Sequence, residues 1–171
     1  MDASTLRELQ APLKDTYRTH PSTARTPLSA RADYRDPGVT TTVEGWAGPV
    51  RAGLHSATGG DGTDACSGDM LLEALLACAG VTLRSVATAM RLTVRSASLR
   101  AEGMFDARGT LGVDRDVPVG VQDIVVVAEI DSDADDAALE RLATATERYC
   151  VVGQSLREPP RFVVQRVATS M

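Results

Sequence analysis

The spacing of apolar residues at the start of the chain predicts a helix. Over residues 2–20 the apolar positions recur at helical intervals, at Leu6, Leu9 and Leu13. Ser4 and Thr5 are possible caps, and the pattern stops before Pro21, which disfavours a helical residue in front of it. We therefore expect a peripheral N-terminal helix.

The following stretch changes to a strand-like pattern. Apolar and polar residues alternate loosely over 28–35, and a Pro-Gly turn at 35–38 leads to strand-like segments at 39–44 and 50–55. This order predicts a small antiparallel meander. Residues 57–68 are rich in Gly, Asp, Ser and Thr, and we expect a surface loop without regular structure there.

The most apolar segment, 69–91, predicts a long helix. Its apolar residues cover most of the helix circumference: Met70, Leu71, Leu72, Leu75, Leu76, Val81, Leu83, Val86 and Met90. Such a helix should be buried nearly all round, and a domain of this size rarely surrounds a two-sided helix alone. A second copy of the chain packed against it is the natural solution, so we expect a homodimer.

The C-terminal half predicts two long strands, a helix and a closing strand. Residues 93–106 and 121–130 have strand composition, and the run 162–167 follows two prolines. Asp133 is the predicted cap of a helix that carries Leu139, Leu142 and Tyr149 on one face and ends near Cys150. With no internal repeat or obvious linker, the pattern indicates one compact α+β domain.

Charge and composition exclude some classes of partner. The net charge is -5 and the pI is near 5.0, whereas nucleic-acid binders concentrate Lys and Arg on one face. The N-terminus lacks the features of a signal peptide, and we expect no segment long enough to span a bilayer. These observations predict a cytoplasmic protein with neither nucleic acid nor a membrane as a partner.

The three cysteines are the candidates for chemistry. In a reducing compartment, Cys66, Cys78 and Cys150 could be buried filler, metal ligands or reactive thiols. A metal site is disfavoured because no Cys-x-x-Cys pair exists and His20 and His55 are not grouped with the thiols. We expect neither a metal nor another cofactor, while filler and reactive thiol both stay open on pattern alone.

Two stretches resemble the signatures of the OsmC/Ohr family. The run 67–78, Ser-Gly-Asp-Met-Leu-Leu-Glu-Ala-Leu-Leu-Ala-Cys, is similar to the start of the family's cysteine helix. The run 150–156, Cys-Val-Val-Gly-Gln-Ser-Leu, is similar to its second signature, Cys-Pro-Val-Ser/His-x-Ser/Thr-Leu. The resemblance implies an OsmC-like α+β fold with antiparallel sheets around long buried central helices in an intertwined homodimer. It assigns 25–171 to this domain and 1–24 to a helical extension.

The resemblance also implies a reaction and its residues. Cys78 would attack an organic hydroperoxide, Cys150 would resolve the product as a disulfide, and an external dithiol would restore the pair. The family supports its thiolate with an Arg and a Glu, for which Arg35, with Arg51 behind it, and Asp69 are the candidates. The implied role is a thiol-dependent peroxidase in oxidative stress defence.

Two departures from the family pattern leave alternatives open. Gly68 stands where the family has its Glu, and Val151 stands where the second signature has Pro. Asp69 could instead cap the N-terminus of its helix, which is the interpretation that its shorter side chain favours. One alternative is a non-catalytic OsmC-like module that binds a small ligand or senses oxidants. Another is an unrelated α+β protein with inert thiols, and Cys66 could be either an incidental loop thiol or an alternative resolving cysteine.

Overall fold

The computed structural model describes residues 1–33 and 37–167, which form two compact units. Unit 1 contains Met1–Pro27, Leu75–Glu102 and the chain from Ile124 onward, and unit 2 contains Leu28–Ala74 and Gly103–Asp123. The chain is a mixed α+β protein with two sheets, as predicted. The proposed division into 1–24 and 25–171 stays a prediction.

Unit 2 is built on a four-stranded sheet. Its strands, in the order β1-β2-β3-β4, are β1 Arg31–Asp33, β2 Thr40–Gly45, β3 Gly48–Gly53 and β4 Ala65–Cys66. The first three form the predicted antiparallel meander. The prediction of an irregular loop over 57–68 was wrong at its end, because Ala65 and Cys66 pair in parallel with Ala52 and Gly53 of β3.

The long helix α2, Ser67–Ala89, forms where the apolar pattern predicted it. Its buried residues recur every four positions and form one stripe: Leu75, Ala79, Leu83 and Ala87. The side chain of Val81 is 73% exposed. A single chain therefore covers one face of α2, and the expected burial all round is not met within it.

Among the described residues, α2 alone is long and apolar enough to cross a membrane by length and composition. The expectation that no segment reaches this length was therefore wrong. This property is weak evidence for a membrane, because a core helix of a soluble protein meets the same criterion. The buried stripe packs within the protein's own chain.

The sheet of unit 1 has the order β5-β6-β7, with β5 Val94–Met104, β6 Gln122–Ser132 and β7 Arg161–Arg166. These are the three predicted strands. β6 and β7 run parallel, in register from Val125 opposite Arg161 to Ile130 opposite Arg166. Each sheet thus contains one parallel pair, which the expectation of antiparallel sheets did not include.

Helix α4, Asp136–Tyr149, packs against β7. Its N-cap is Asp135, which accepts a hydrogen bond from the backbone N–H of Ala138 at 2.6 Å. The predicted cap, Asp133, instead forms an ion pair with Arg95 at 2.7 Å. Tyr149 is exposed, contrary to its predicted place on the buried face.

Two short α-helices, one longer α-helix and two 3-10 helices, Pro21–Ala24 and Ser56–Thr58, are the remaining helical elements of the described residues. Helix α3 is Ala107–Thr110 in unit 2, and α5 is Val151–Gln154 in unit 1. The predicted N-terminal helix is α1, Ala3–Thr19, and none of its residues is fully buried. Its cap is Asp2, whose carboxylate accepts a hydrogen bond from the N–H of Thr5 at 2.9 Å, and not Ser4 or Thr5.

Candidate active site

Cys150 occupies the junction between α4 and α5. Its backbone N–H bonds to the carbonyl of Thr146 at 3.0 Å, which ends α4. Its Sγ atom accepts a hydrogen bond from the N–H of Gly153 at 3.4 Å, which caps α5. The residue is only 2% exposed. Helix geometry at both sides therefore fixes the position of this thiol.

Gly153 lies where the turn that carries Cys150 packs against α2. A Cβ atom there would lie 3.4 Å from the Sγ of Cys150 and 3.5 Å from a methyl carbon of Leu75. Leu75 belongs to the buried stripe of α2 and is fully buried. The turn that carries Cys150 therefore packs directly against α2, the helix that carries Cys78.

Cys78 is half-buried on α2 and interacts with Cys150. Burial disfavours its thiolate, but hydrogen bonding outweighs this effect, and the pKa of Cys78 lies below its ordinary value. The largest stabilising contribution comes from the backbone N–H of Val152, followed by the thiol of Cys150. The Thr82 hydroxyl and the N–H of Val151 contribute further.

The pKa of Cys150 shifts in the opposite direction. Burial raises it above its ordinary value, and the neighbouring Cys78 raises it further, while the N–H of Gly153 partly offsets both effects. The pair is therefore unequal: Cys78 is the group that ionises first, and Cys150 is the neutral thiol beside it. The thiolate is the nucleophilic form of cysteine, so at a given pH Cys78 has the larger nucleophilic fraction of the two thiols.

Two contributors to this site were not identified from the sequence. Thr82 lies one helical turn after Cys78, so the i to i+4 spacing on α2 would have indicated it. The N–H of Val152 carried no residue-type signal, since every residue except proline has a backbone donor. Val151 does carry such a signal, because a proline at this position would have no N–H to offer Cys78.

The structure describes two of the three residues predicted to support the thiolate, Arg51 and Asp69. Arg35 lies outside the described residues. Arg51, on β3, forms an ion pair with Asp64. Asp69 is exposed in the first turn of α2, where an acid also favours the helix dipole. It stands nine residues before Cys78, about 13 Å along the helix axis, so its role in the reaction stays a prediction.

Cys66 ends β4 and is half-buried. It lines a cavity of about 290 Å³ in unit 2, together with His55, Asp69 and Glu73. The His55 ring packs edge-on against Phe105, with 5.2 Å between the ring centres. Within 1–33 and 37–167, no three His, Cys, Asp or Glu side chains form a group that could hold a metal ion.

A family model described as OsmC-like protein matches residues 60–165, well over half of the chain. The chain belongs to this OsmC-like family. The match includes both Cys78 and Cys150 and begins after β3, so α1 and the whole meander β1–β3 lie outside it. No curated protein matches this OsmC-like chain.

Solved structures support the OsmC-like fold. An OsmC-like protein of unknown function from Vibrio cholerae has a TM-score of 0.65 at 14% identity, over 84% of this chain and 100% of that one. An organic hydroperoxide resistance protein OsmC from Legionella pneumophila has a TM-score of 0.60 at 15% identity, over 84% and 100%.

An organic hydroperoxide resistance protein from Elizabethkingia anophelis has a TM-score of 0.66 at 12% identity, over 84% of this chain and 99% of that one. At these identities the likeness establishes a shared fold. Two of these neighbours, from Legionella pneumophila and Elizabethkingia anophelis, are named as organic hydroperoxide resistance proteins.

Proposed function

We propose that this OsmC-like chain is a thiol-dependent peroxidase that reduces organic hydroperoxides through Cys78 and Cys150. The proposal rests on one observation: a half-buried thiol with a lowered pKa interacts with a buried thiol whose pKa is raised. A reactive thiolate next to a protonated resolving thiol is the arrangement that the reaction needs. Hydroperoxide resistance in the names of structural neighbours supports the same class.

The proposed reaction proceeds in three balanced steps. The Cys78 thiolate attacks the terminal peroxide oxygen, the O–O bond breaks, and the alkoxide takes a proton to leave as an alcohol. Sulfur is thereby oxidised to a sulfenic acid. The Cys150 thiol then displaces hydroxide from that sulfur, which forms the Cys78–Cys150 disulfide and releases water after proton transfer. An external dithiol reduces the disulfide by exchange and becomes a disulfide itself.

The direct test is thiol titration with mass mapping before and after one equivalent of cumene hydroperoxide. We expect the loss of two thiols and a Cys78–Cys150 disulfide. Cys78→Ser should lose the reaction, and Cys150→Ser should stop at the sulfenic acid. Cys66→Ser is the matched control and should react like the parent protein. Unchanged thiols, or oxidation of Cys66 alone, would exclude the proposed pair.

The selectivity for organic substrates is a further part of the proposal. Cys78 lies beside the apolar residues of α2, including the fully buried Leu75, and apolar surroundings favour an organic hydroperoxide over hydrogen peroxide. We expect a higher kcat/KM for cumene hydroperoxide than for hydrogen peroxide. An equal or reversed preference would contradict this part while leaving the redox pair intact. We propose a cytoplasmic role in defence against oxidative stress.

A homodimer is part of the proposed assembly. Only one stripe of α2 is buried within a single chain, and the apolar side chain of Val81 is largely exposed outside it. A second copy packed against α2 would remove Val81 and the half-buried apolar residues of the helix from water, which is favourable. The observation that supports the homodimer is that a single chain buries only one stripe of α2, although the apolar pattern predicted burial on nearly all sides.

The second candidate function is a non-catalytic OsmC-like module that binds a small ligand or senses oxidants. It is favoured by Gly68 in place of the family's Glu and by the exposure of Asp69, which leaves no carboxylate of α2's first turn beside Cys78. A sensor would form the disulfide without rapid turnover. Steady-state kinetics with excess dithiol separate the two functions, since only the enzyme consumes many equivalents of peroxide.

A further inference from the structure

Unit 1 contains a cavity of about 550 Å³ that the redox proposal does not use. It lies where the first turn of α1, the last turns of α2 and the start of β5 meet. This volume falls within the range of sites that hold small molecules. The α1 wall lies outside the residues 60–165 that match the family model. The cavity is therefore lined partly by a segment that the family model does not match.

The cavity is strongly cationic for a chain with a net charge of -5. Three arginines line it, Arg7, Arg84 and Arg91, and Asp2 is the one carboxylate among its lining residues. Asp2 is engaged in capping α1, through the N–H of Thr5 at 2.9 Å. Nowhere in the described part of the chain does a carboxylate form an ion pair with these three guanidinium groups.

The backbone of Arg91 provides a second observation. Arg91 has φ of 57°, in the left-handed region that glycine adopts without a steric penalty. It follows α2 in a Schellman-type ending, in which the N–H of Leu92 bonds to the carbonyl of Ala87 at 2.9 Å. The N–H of Arg91 bonds to the carbonyl of Thr88 at 3.0 Å. Glycine is the residue that suits this position best, so an arginine there carries a conformational cost.

A purely structural role explains this arginine incompletely. A cation near the C-terminus of a helix stabilises it through the helix dipole. That benefit is available at any position of the last turn, including those with ordinary φ. Residues kept in an unfavourable conformation concentrate at functional sites. Arg91 lies in the cavity wall together with Arg7 and Arg84, so a role in binding a ligand there would account for the strained conformation.

We propose that this cavity binds a small organic phosphate through Arg7, Arg84 and Arg91. Planar guanidinium groups form paired hydrogen bonds with phosphate oxygens, and a phosphate monoester carries close to two negative charges at neutral pH. The N-terminus of α1, a helix of 17 residues, adds a favourable potential. Ala87, Leu92 and Val94 supply an apolar wall, which fits a compact organic group on the phosphate.

The proposed site is independent of the redox pair. Arg84 follows Cys78 by six residues on α2, about 9 Å along the axis, and neither cysteine lines the cavity. The phosphate ligand would give α1 a role that the family resemblance leaves without explanation. Failure of the peroxidase proposal would leave this inference standing, and the reverse also holds.

The test is isothermal titration calorimetry of the full chain with phenyl phosphate at pH 8 and low salt. Benzoate and phenol serve as the monoanionic and neutral analogues of the same ring. We expect phenyl phosphate to bind at least about tenfold more tightly than benzoate, and phenol to show no binding. Binding of phenyl phosphate should weaken with added sodium chloride.

Arg91→Gly is the decisive variant, because it removes the guanidinium group while it relieves the backbone strain. We expect a Tm equal to or above that of the parent, together with a Kd for phenyl phosphate that is weaker by about tenfold or more. Arg84→Gln should also weaken binding. Arg115→Gly, an exposed arginine outside the cavity, is the charge-matched control and should bind like the parent.

Four results would overturn the inference. The first is an unchanged Kd in Arg91→Gly. The second is an equal loss in Arg115→Gly, which would indicate attraction by overall charge. The third is the absence of phenyl phosphate binding at about 5 mM, where even weak specific sites are occupied. Equal affinity for benzoate would contradict the phosphate assignment itself.

Discussion

The Sγ atom of Cys150 accepts a hydrogen bond from the backbone N–H of Gly153 at 3.4 Å, within the helix turn that Cys150 caps. This bond uses sulfur as the acceptor and leaves the S–H proton of Cys150 available to its neighbour Cys78. The same turn carries the N–H groups of Val151 and Val152 that lower the pKa of Cys78. One short segment therefore supplies both the second thiol and the stabilisation of the first.

The unequal pKa values predict the order in which the thiols react. The thiolate fraction of each cysteine grows as pH rises through its pKa, and the pKa of Cys78 is lowered while that of Cys150 is raised. Alkylation of Cys78 by iodoacetamide should therefore have the lower pH midpoint. At pH 7 it should proceed at least about tenfold faster than alkylation of Cys150. Peptide mass mapping over a pH series measures both rates, and faster labelling of Cys150 would contradict the assignment.

Val151→Pro tests the contribution of a single backbone donor. Proline has no N–H but suits the first position of α5, and the extended conformation of Cys150, with ψ of 101°, tolerates a following proline. We expect the pKa of Cys78 to rise and its oxidation at pH 7 to slow by roughly twofold to fivefold. Stopped-flow kinetics against pH provide the measurement. Val151→Ala keeps the N–H and should match the parent, so equal slowing in both variants would remove the backbone explanation.

Gly68→Glu introduces the acid that the family has at this position. A Cβ atom at Gly68 would lie 3.5 Å from the Sγ of Cys66, an ordinary contact, so the larger residue can be accommodated at its base. If the family's Arg and Glu act together here, kcat/KM for cumene hydroperoxide should rise severalfold, corresponding to about 1 kcal/mol.

Gly68→Gln is the matched control, because it has the same shape and helix propensity without the charge. It should give no gain. Adding Arg35→Gln to Gly68→Glu should abolish the gain, since the carboxylate would lose its proposed partner. An equal increase in the Glu and Gln variants would attribute the effect to the helix and not to the charge.

Leu75→Ala should destabilise the fold and disturb the cysteine pair together. Leu75 is fully buried, and its methyl group lies next to Gly153 in the turn after Cys150. Removal of a buried leucine side chain costs about 2–5 kcal/mol in the free energy of unfolding. Urea denaturation measures this loss. Leu111→Ala, at a side chain that is 57% exposed, should change stability by less than about 0.5 kcal/mol.

Val81→Arg tests the proposed homodimer. Val81 is the exposed apolar residue of α2, and a buried unpaired charge at a subunit interface would oppose association. Sedimentation velocity should show a dimer for the parent and a monomer for the variant. Val119→Arg, at another exposed valine, should remain dimeric. A monomeric parent protein would exclude the proposed assembly directly.

Local pattern was sufficient for most of the secondary structure. Helical spacing placed α1 and α2, and strand-like composition placed β5, β6 and β7, because these periods follow from backbone geometry within each segment. The pattern did not show which of two neighbouring aspartates caps α4. Asp133 and Asp135 are both capable caps, and the ion pair of Asp133 with Arg95 on another strand accompanies the selection of Asp135.

Pairing between distant segments could not be derived from pattern. Ala65 and Cys66 belong to a run with loop composition, and they become a strand only because the edge of β3 offers backbone partners. The parallel direction of β7 against β6 likewise follows from the path of the chain through α4, and not from the residues of either strand.

For the site, the sequence by itself determined the two cysteines and their family resemblance, since the signatures around Cys78 and Cys150 are local. The sequence could not show which of the two thiols has the lower pKa, because a pKa depends on burial and on hydrogen-bond donors from elsewhere in the chain. Only the tertiary structure brought the N–H groups of the turn after Cys150 to Cys78, and only it buried one thiol more deeply than the other. The difference in pKa between the two thiols, on which their proposed attacking and resolving roles depend, is therefore a property of the folded surroundings, which no local pattern encodes.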